Sequence, residues 1–182
     1  AHHEEHTYVS MAHDLERYFT ENSLQKASII GHSMGGKTAL AFADAFPDRV
    51  DKLIVADIAS HAYSPHHQSI FDAIQSAPIA GHSDRSKIQH HLLEQLNDPG
   101  GVAFLMKNAR RLKDGGFQWR PNIAVLEKAL GAVVGAVPLE MNTLPTLVIY
   151  GGKSDYVNQE ALEIFDRACL QLDIHCIEEA GH

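Results

Sequence analysis

The octapeptide Gly-His-Ser-Met-Gly-Gly-Lys-Thr, residues 31–38, constrains the fold of this chain more than any other segment. It matches two patterns. One is Gly-x-Ser-x-Gly, a strained turn that presents a nucleophilic serine, and the other is Gly-x4-Gly-Lys-Thr, a loop that holds phosphate groups. The apolar run Ala27–Ile30 predicts a buried strand before it, and the Ala- and Leu-rich stretch Lys37–Phe46 predicts a helix that ends at Pro47. Both patterns require this strand–turn–helix order, so the local context does not separate them.

In the first interpretation, Ser33 is a nucleophile at the tip of the turn. Small residues two positions before and after it, here Gly31 and Gly35, allow the strand and the helix to approach closely. The backbone amide of Met34 then points toward an oxyanion, at the positive end of the helix. His32 is expected to shape the turn and to contact substrate rather than to act as a base.

In the second interpretation, the chain is a nucleotide hydrolase that uses Gly31–Thr38 as a phosphate-binding loop. Lys37 and Thr38 would hold phosphate and magnesium. The segment Leu53–Asp57, four apolar residues and an acid, has the form of a magnesium-binding strand end. Against this interpretation, the sequence contains no base-recognition motif and no evident arginine finger.

The end of the chain carries a pattern that only the nucleophile interpretation explains. A strand entered through a Pro, a turn with an acid, a helix, a second strand and a Gly-His pair are predicted at Leu144–Tyr150, Gly151–Asp155, Val157–Ala168, Ile174–Ile177 and Gly181–His182. The chain order Ser, acid, His is the order of the catalytic triad in α/β-hydrolases. His182 is therefore the candidate base that takes the proton of Ser33 and later returns it.

Two aspartates compete for the third position of the triad, which orients the imidazole of His182. Asp155 follows the strand before the last one, and Asp57 follows the strand directly after the helix of residues 37–46. Both strand ends open on the same edge of a parallel sheet, so geometry permits either. Each aspartate could also be only a helix cap or a turn residue, and the residue pattern leaves the choice open.

The stretch between Ser60 and Val137 shows no strand pattern. It predicts four short helices, at residues 66–76, 85–96, 102–112 and 123–134. An all-helical insertion between two sheet strands is typical of a cap that selects which acyl chains enter.

The predicted domains are accordingly a helical cap, 61–137, and an α/β core made of 1–60 and 138–182. Phe71, Phe104 and Trp119 are the candidate substrate-binding residues of the cap. The alternative for each of them is that it only packs the cap helices together.

Six segments occur in an order that points to one family, namely Met11–Leu15, Gly31–Lys37, Asp51–Ala59, Phe117–Arg120, Gly151–Val157 and Ala180–His182. With them the sequence resembles the YbfF-like esterases of the α/β-hydrolase superfamily over nearly its whole length. The run from Gly31 to Lys37 is fairly specific to that group, and it accounts for Lys37 without a nucleotide.

The resemblance implies a cytoplasmic serine esterase that needs no cofactor and acts on small-molecule acyl esters or acyl-CoA thioesters. Carried over by position, Ser33 is the nucleophile and His182 the base. The position of Asp57 is the more usual acid in this family, which favours Asp57, while Asp155 remains open as the acid in this sequence.

The resemblance also implies a truncated chain, because a hydrolase of this group has about 250 residues. The first strands, the last helix and the His-Gly loop that supplies a second oxyanion amide are expected to be missing. Since one oxyanion donor is worth about 10²–10³ in rate, this chain is expected to be a poor enzyme. A third interpretation, a non-catalytic fragment used as a binding module, follows from the same expectation.

Composition excludes several classes of function. The net charge is −8, and the one basic cluster, Lys107–Lys113, is short enough to be a solvated helix face, so no nucleic-acid partner is expected. A weaker alternative is that this cluster attracts an anionic group such as a CoA phosphate. No apolar run approaches the ~20 residues of a membrane helix. The thirteen histidines lack zinc-site spacing, so no metal is expected. Oligomeric state is not predicted.

Overall fold

A computed structural model describes residues 6–64, 68–80 and 84–182. The chain divides into two compact units: the first comprises the described residues up to Tyr63 together with Ala132–His182, and the second lies within Ser64–Gly131. The predicted insertion, 61–137, contains the second unit and also short segments at both ends that belong to the first. These end segments pair with each other, because the Tyr63 N–H donates to the Val134 carbonyl at 2.8 Å.

The first unit is built on a parallel sheet. Within the described residues its strands pair in the order β1-β2-β5-β6, and their bounds are β1 Ala27–His32, β2 Val50–Ala56, β5 Asn142–Gly151 and β6 Cys169–Ile177. The register joins Ile30 to Ile54 and Ile54 to Leu147. The predicted α/β class with a parallel sheet is therefore confirmed.

Three long helices belong to the first unit: α1 Tyr8–Glu21, α2 Met34–Ala45 and α8 Gln159–Ala168. Helices α2 and α8 pack against the sheet, and α1 packs against α2. Side chains cap the N-termini of α1 and α8. Thr7 and Ser10 form a capping box before α1, and the Asn158 side chain accepts from the Ala161 N–H before α8. Ser33 precedes α2 without a side-chain cap, which leaves its hydroxyl free for another partner.

The core of the first unit lies on one face of the sheet. Four side chains with no exposed surface mark its centre, Phe42, Val55, Val148 and Phe165. Burial of each such side chain stabilises the fold by about 1.5–3 kcal/mol. The core therefore fixes β2 and β5, the central strands, against the helices α2 and α8.

The opposite face is less covered at β1. Ile30 is 71% exposed, whereas its neighbour Ile29 points to the core side. β1 is also the end strand of the sheet in the part of the chain that the structure describes.

The second unit is mostly helical, but it also contains a β-hairpin, so the prediction of helices alone is wrong. Its elements are α3 Gln68–Ser76, α4 Arg85–Leu96, α5 Pro99–Met106, β3 Ala109–Arg111, β4 Phe117–Trp119 and α6 Ile123–Lys128, and α7 Leu130–Val134 leads back to the first unit. Helix 85–96 is confirmed. The other predicted helices differ at their ends or, for 123–134, split into two, and residues 66 and 67 lie outside the described residues.

The hairpin replaces the second half of the helix predicted at 102–112. Asp98 caps α5 and Pro99 occupies its first turn, so that helix starts earlier and ends at Met106. The chain then pairs Ala109 with Trp119, and Gly115, at φ 90°, allows the turn. The basic cluster 107–113 therefore lies on a hairpin and not on a helix face.

Candidate active site

The turn that carries Ser33 has strained backbone. Ser33 has φ 53° and ψ −125°, a conformation that residues with a side chain rarely adopt. It is held there because its N–H donates to the Ala56 carbonyl at 3.0 Å and its own carbonyl accepts from the Gly36 N–H at 2.8 Å. This conformation places Ser33 at the junction between the end of β1 and the start of α2.

The close approach of β1 and α2 depends on two glycines. A Cβ on Gly31 would overlap the Gly35 carbonyl oxygen and lie 2.7 Å from the Gly36 Cα. A Cβ on Gly36 would lie 3.0 Å from the Gly31 carbonyl oxygen and would overlap the side chain of Ile58, which follows β2. A Cβ on Gly35 would meet nothing within 4 Å. The prediction for Gly31 agrees with this geometry, whereas the one for Gly35 is wrong: the helix residue that must lack a side chain is Gly36.

Ser33, His182 and Asp57 form one chain of hydrogen bonds. The Ser33 Oγ lies 2.8 Å from the His182 Nε2, and the His182 Nδ1 lies 2.6 Å from the Asp57 Oδ2. A carboxylate only accepts hydrogen bonds, so Nδ1 carries the hydrogen and Nε2 is left to accept the proton of Ser33. The three groups therefore have the arrangement of a serine nucleophile with its base and orienting acid.

Asp57 is held from several sides. It is 5% exposed and has φ 51°, its N–H donates to the Ile149 carbonyl at 2.7 Å, and its Oδ1 accepts from the Gly151 N–H at 3.0 Å. Its Oδ2 also accepts from the Ser154 hydroxyl at 2.6 Å. Burial alone would raise the pKa of Asp57, but the hydrogen bonds from Ser154, Gly151 and His182 outweigh burial and lower it. Asp57 is therefore ionised at neutral pH.

Asp155, the other predicted acid, is exposed, and the carboxylate that hydrogen bonds to His182 is that of Asp57. The neighbour of Asp155 matters instead. Ser154 was not predicted, because a Ser in a Gly-Gly-Lys-Ser-Asp turn is an ordinary turn residue. Its position in the sequence could have indicated this role. Ser154 follows β5 and Asp57 follows β2, and these parallel neighbouring strands end at the same edge of the sheet.

His182 reaches Ser33 because the segment before it lies very close to β5. A Cβ on Gly151 would lie 2.5 Å from the Ala180 carbonyl oxygen, and one on Gly152 would lie 2.7 Å from the Glu178 carbonyl oxygen. The Lys153 N–H donates to the Ala180 carbonyl at 2.9 Å and ties the two segments together. The Gly pair is thus what permits this approach.

Two aromatic rings flank the imidazole of His182. The Tyr156 ring is stacked on it with centroids 3.9 Å apart and planes 24° apart. The His32 ring lies 4.8 Å from it at 34°. His32, predicted as a substrate-binding residue, is thus an exposed neighbour of the base.

Met34, the predicted oxyanion donor, is the first residue of α2. No hydrogen-bond acceptor for its N–H is found in the part of the chain that the structure describes. The start of a helix carries partial positive charge from such free N–H groups. The Met34 amide is therefore available to an anionic oxygen next to Ser33.

The residues that a phosphate-binding loop would need are occupied elsewhere. Lys37 is 1% exposed, and its ammonium donates to the carbonyls of His61, at 2.7 Å, and Gly135. The Thr38 hydroxyl donates to the Met34 carbonyl at 3.0 Å. Neither side chain is free to hold a nucleotide, so the geometry opposes the nucleotide-hydrolase interpretation.

The predicted substrate-binding residues of the second unit differ in burial. Trp119 is 8% exposed, packs in the core of that unit and donates its Nε1–H to the Ile74 carbonyl at 3.3 Å. This agrees with the alternative that Trp119 packs the second unit together. Phe71 is half-buried and Phe104 is 65% exposed. Their contact with substrate stays a prediction.

No group of three or more His, Cys, Asp or Glu side chains able to hold a metal ion is found within residues 6–64, 68–80 and 84–182. None of the helices in these residues combines the length and the hydropathy of a membrane-spanning segment.

Replacement of Ser154 by Ala is expected to lower the free energy of unfolding by about 1.5–3 kcal/mol at neutral pH, because a hydrogen bond to a buried carboxylate is lost. The folded-state pKa of Asp57 is lowered, so the stability from its charge is present above the ordinary carboxyl pKa and is lost as the pH falls through the folded-state pKa. The difference between variant and wild type should therefore shrink at acid pH.

Urea unfolding at about pH 7 and about pH 3 measures this difference, provided that both proteins remain folded at the lower pH. Ser64→Ala, at an exposed serine, is the matched control and should change little at either pH. An equal loss for Ser154→Ala at both pH values would show that Ser154 does not act through the charge of Asp57.

A sequence profile of the alpha/beta hydrolase fold matches residues 1–85. Esterase YbfF of Escherichia coli (strain K12) is 34% identical over 176 residues, which are 96% of this chain and 67% of that protein. The sn-1-specific diacylglycerol lipase ABHD11 of Mus musculus is 30% identical over 184 residues, which are 97% of this chain and 59% of that protein.

A solved structure described as a marine microorganism esterase superposes with a TM-score of 0.93 at 33% identity. The match covers 100% of this chain and 72% of that one. The chain thus spans 59–67% of the length of the two curated relatives.

Proposed function

This chain belongs to the α/β-hydrolase superfamily, among the esterases related to YbfF, and from that premise we propose that it cleaves acyl esters through a covalent acyl-enzyme on Ser33. His182 is the base and Asp57 the residue that orients it. The observation that carries the proposal is the unbroken hydrogen-bond chain from the Ser33 Oγ through both nitrogens of His182 to Asp57.

In the first half of the reaction, the Ser33 Oγ attacks the ester carbonyl carbon while the His182 Nε2 takes the hydroxyl proton. The carbonyl oxygen becomes an oxyanion and the imidazole becomes an imidazolium. The oxyanion then collapses, the bond from carbon to the leaving oxygen breaks, and His182 gives its proton to that oxygen. The products are an alcohol and an acyl ester of Ser33.

In the second half, a water molecule replaces the alcohol. His182 takes one proton from the water as its oxygen attacks the acyl carbon, and returns that proton to the Ser33 Oγ when the second tetrahedral intermediate collapses. A carboxylic acid leaves and the free enzyme is restored. No redox change or co-reactant other than water is needed.

The charges of the site favour this sequence of steps. The Asp57 carboxylate, whose pKa is lowered by its hydrogen bonds, stabilises the imidazolium that forms on His182. The Met34 amide at the start of α2 stabilises the oxyanion, and one such donor is worth about 10²–10³ in kcat. Both groups are in place before substrate binds.

The ester bond is the substrate class best supported, because the two curated relatives are named as an esterase and a diacylglycerol lipase. The same steps cleave an acyl-CoA thioester, with the sulfur in place of the leaving oxygen. A series of 4-nitrophenyl esters beside acyl-CoA thioesters, compared by kcat/KM, distinguishes the two and gives the acyl-chain preference.

The proposal is tested by labelling with a fluorophosphonate probe, followed by peptide mapping. The samples are the 182-residue chain, its Ser33→Ala and Lys37→Met variants, and a chimera that adds the parts of YbfF outside the match. We expect an adduct on Ser33 in the chimera and in this chain, more slowly in the latter, and none in Ser33→Ala.

An adduct in the chimera alone would mean that the additional segments are needed and that this chain by itself is non-catalytic. Circular dichroism shows whether each sample is folded. No adduct in either folded protein would overturn the serine-hydrolase proposal. Magnesium-dependent nucleotide binding that is lost in Lys37→Met would then favour the phosphate-loop interpretation.

A further inference from the structure

Tyr63 occupies a position between the loops that surround His182. Its hydroxyl accepts from the Ala59 N–H and donates to the Tyr156 carbonyl, both at 2.7 Å. Ala59 lies two residues after Asp57, and Tyr156 lies two residues after Ser154. One hydroxyl therefore links the loop of the orienting acid to the loop whose Tyr156 ring is stacked on the imidazole of His182.

The rest of Tyr63 is fixed as firmly as its hydroxyl. Its N–H donates to the Val134 carbonyl at 2.8 Å, and its ring lies 5.2 Å from the ring of Tyr156. The ammonium of Lys37 lies 4.7 Å from the centre of the Tyr63 ring, a cation–π distance. The side chain thus has few alternative positions.

Lys37 is a buried cation whose partners lie on separate segments. It is 1% exposed, and burial lowers its pKa to about 8. A buried ammonium persists only where acceptors compensate for lost water, and here these are the carbonyls of His61 and Gly135 and the face of the Tyr63 ring. Without the ammonium, the two carbonyls and the ring face would lose the partner that they share.

We propose that Tyr63 is a positioning residue of the active site and that Lys37 is its anchor. Lys37 holds the segments 61–63 and 134–135 together and fixes the ring of Tyr63 between them. The Tyr63 hydroxyl then sets the spacing between the Asp57 loop and the Tyr156 loop, and so keeps the imidazole of His182 in line with Ser33. The inference rests on the proposed hydrolase function.

The test replaces Tyr63 by Phe, which keeps the ring and removes the hydroxyl. The matched control is Tyr18→Phe, at a side chain that is 56% exposed. We expect kcat for a 4-nitrophenyl ester to fall by about tenfold or more with KM nearly unchanged, since small displacements of reacting groups cost large factors in rate. Tyr18→Phe should match the wild type.

Lys37→Met tests the role of Lys37 separately, and it becomes the deciding variant if the Tyr63→Phe protein does not fold. We expect Lys37→Met to lower kcat, as Tyr63→Phe does. The double variant should lose less than the product of the two single losses, because Lys37 acts through the position of the Tyr63 hydroxyl, which Tyr63→Phe already removes. Fully independent losses would overturn the role of Lys37 as the anchor of Tyr63.

A second readout does not depend on turnover. The proton shared by the His182 Nδ1 and Asp57 gives a far-downfield NMR signal, which should weaken or shift in Tyr63→Phe and stay unchanged in Tyr18→Phe. A lower melting temperature with unchanged kcat and an unchanged signal would make Tyr63 merely structural and overturn the inference. The absence of a Ser33 adduct from both this chain and the chimera would overturn the proposed function instead, and the proton signal would still decide the role of Tyr63.

Discussion

Replacement of Asp57 by Asn is expected to lower kcat by about 10⁴-fold while KM changes little. Asp57 receives hydrogen bonds on both oxygens, from Gly151 on Oδ1 and from Ser154 and His182 on Oδ2. An amide has one oxygen, and the Gly151 N–H requires it at the Oδ1 position. The amide nitrogen would then face the His182 Nδ1 and force the hydrogen onto Nε2, so that the imidazole could no longer accept the proton of Ser33. Steady-state kinetics with a 4-nitrophenyl ester measure the loss.

Asp155→Asn is the control for this experiment, because Asp155 belongs to the same predicted set but is exposed. Its kcat should stay within about twofold of the wild type, as for most surface substitutions. A large loss in Asp155→Asn together with a small one in Asp57→Asn would make Asp155 the acid of the triad. That result would mean that the hydrogen bond between His182 and Asp57 is not the one used in turnover.

The sheet of the first unit could be predicted from the sequence because its central strands are continuous apolar runs. The segment Leu144–Tyr150 lies inside β5, and Leu53–Asp57 covers most of β2, since strands buried in a parallel sheet need apolar residues on both faces. The start of β6 was predicted five residues too late. β6, the last strand of the sheet within the described residues, begins with exposed residues such as Leu170 and Gln171 and gives no such signal.

The elements of the second unit could be predicted only where local residues mark their ends. Helix α4 has Asp84 as its N-cap and Asn97 in a left-handed conformation after it, and both of its bounds were predicted. The hairpin β3-β4 could not be predicted, because strands of three residues are too short to show an alternating pattern. Its pairing is stabilised by the buried side chains of Phe117 and Trp119, which is a tertiary effect.

The chain order of a triad predicted Ser33, His182 and two candidate acids, and only the family resemblance favoured Asp57 over Asp155. The residues that hold the triad in place could not be predicted. The Ser154 hydroxyl donates to Asp57, the Tyr63 hydroxyl donates to the Tyr156 carbonyl, and the Tyr156 ring is stacked on His182. These contacts depend on how separate loops approach one another. No local pattern encodes such an approach.

Replacement of Gly31 by Ala is expected to destabilise the first unit by about 3 kcal/mol or more. The new Cβ would overlap the Gly35 carbonyl oxygen and lie 2.5 Å from its carbonyl carbon and 2.7 Å from the Gly36 Cα. All three atoms are backbone, so no side chain can move away, and β1 must separate from α2. Since Ser33 lies at that junction, labelling by the fluorophosphonate should be lost as well. Urea unfolding and probe labelling measure the two effects.

Gly35→Ala is the matched control, because it makes the same chemical change in the same turn where a Cβ meets nothing within 4 Å. An Ala early in α2 should be neutral or should stabilise the protein by about 0.5–1 kcal/mol, since Gly loses more backbone entropy in a helix. Ser33 should remain reactive in this variant. If Gly35→Ala were as harmful as Gly31→Ala, close contact of β1 with α2 would not explain the glycines of this turn, and a requirement for backbone freedom near Ser33 would have to replace it.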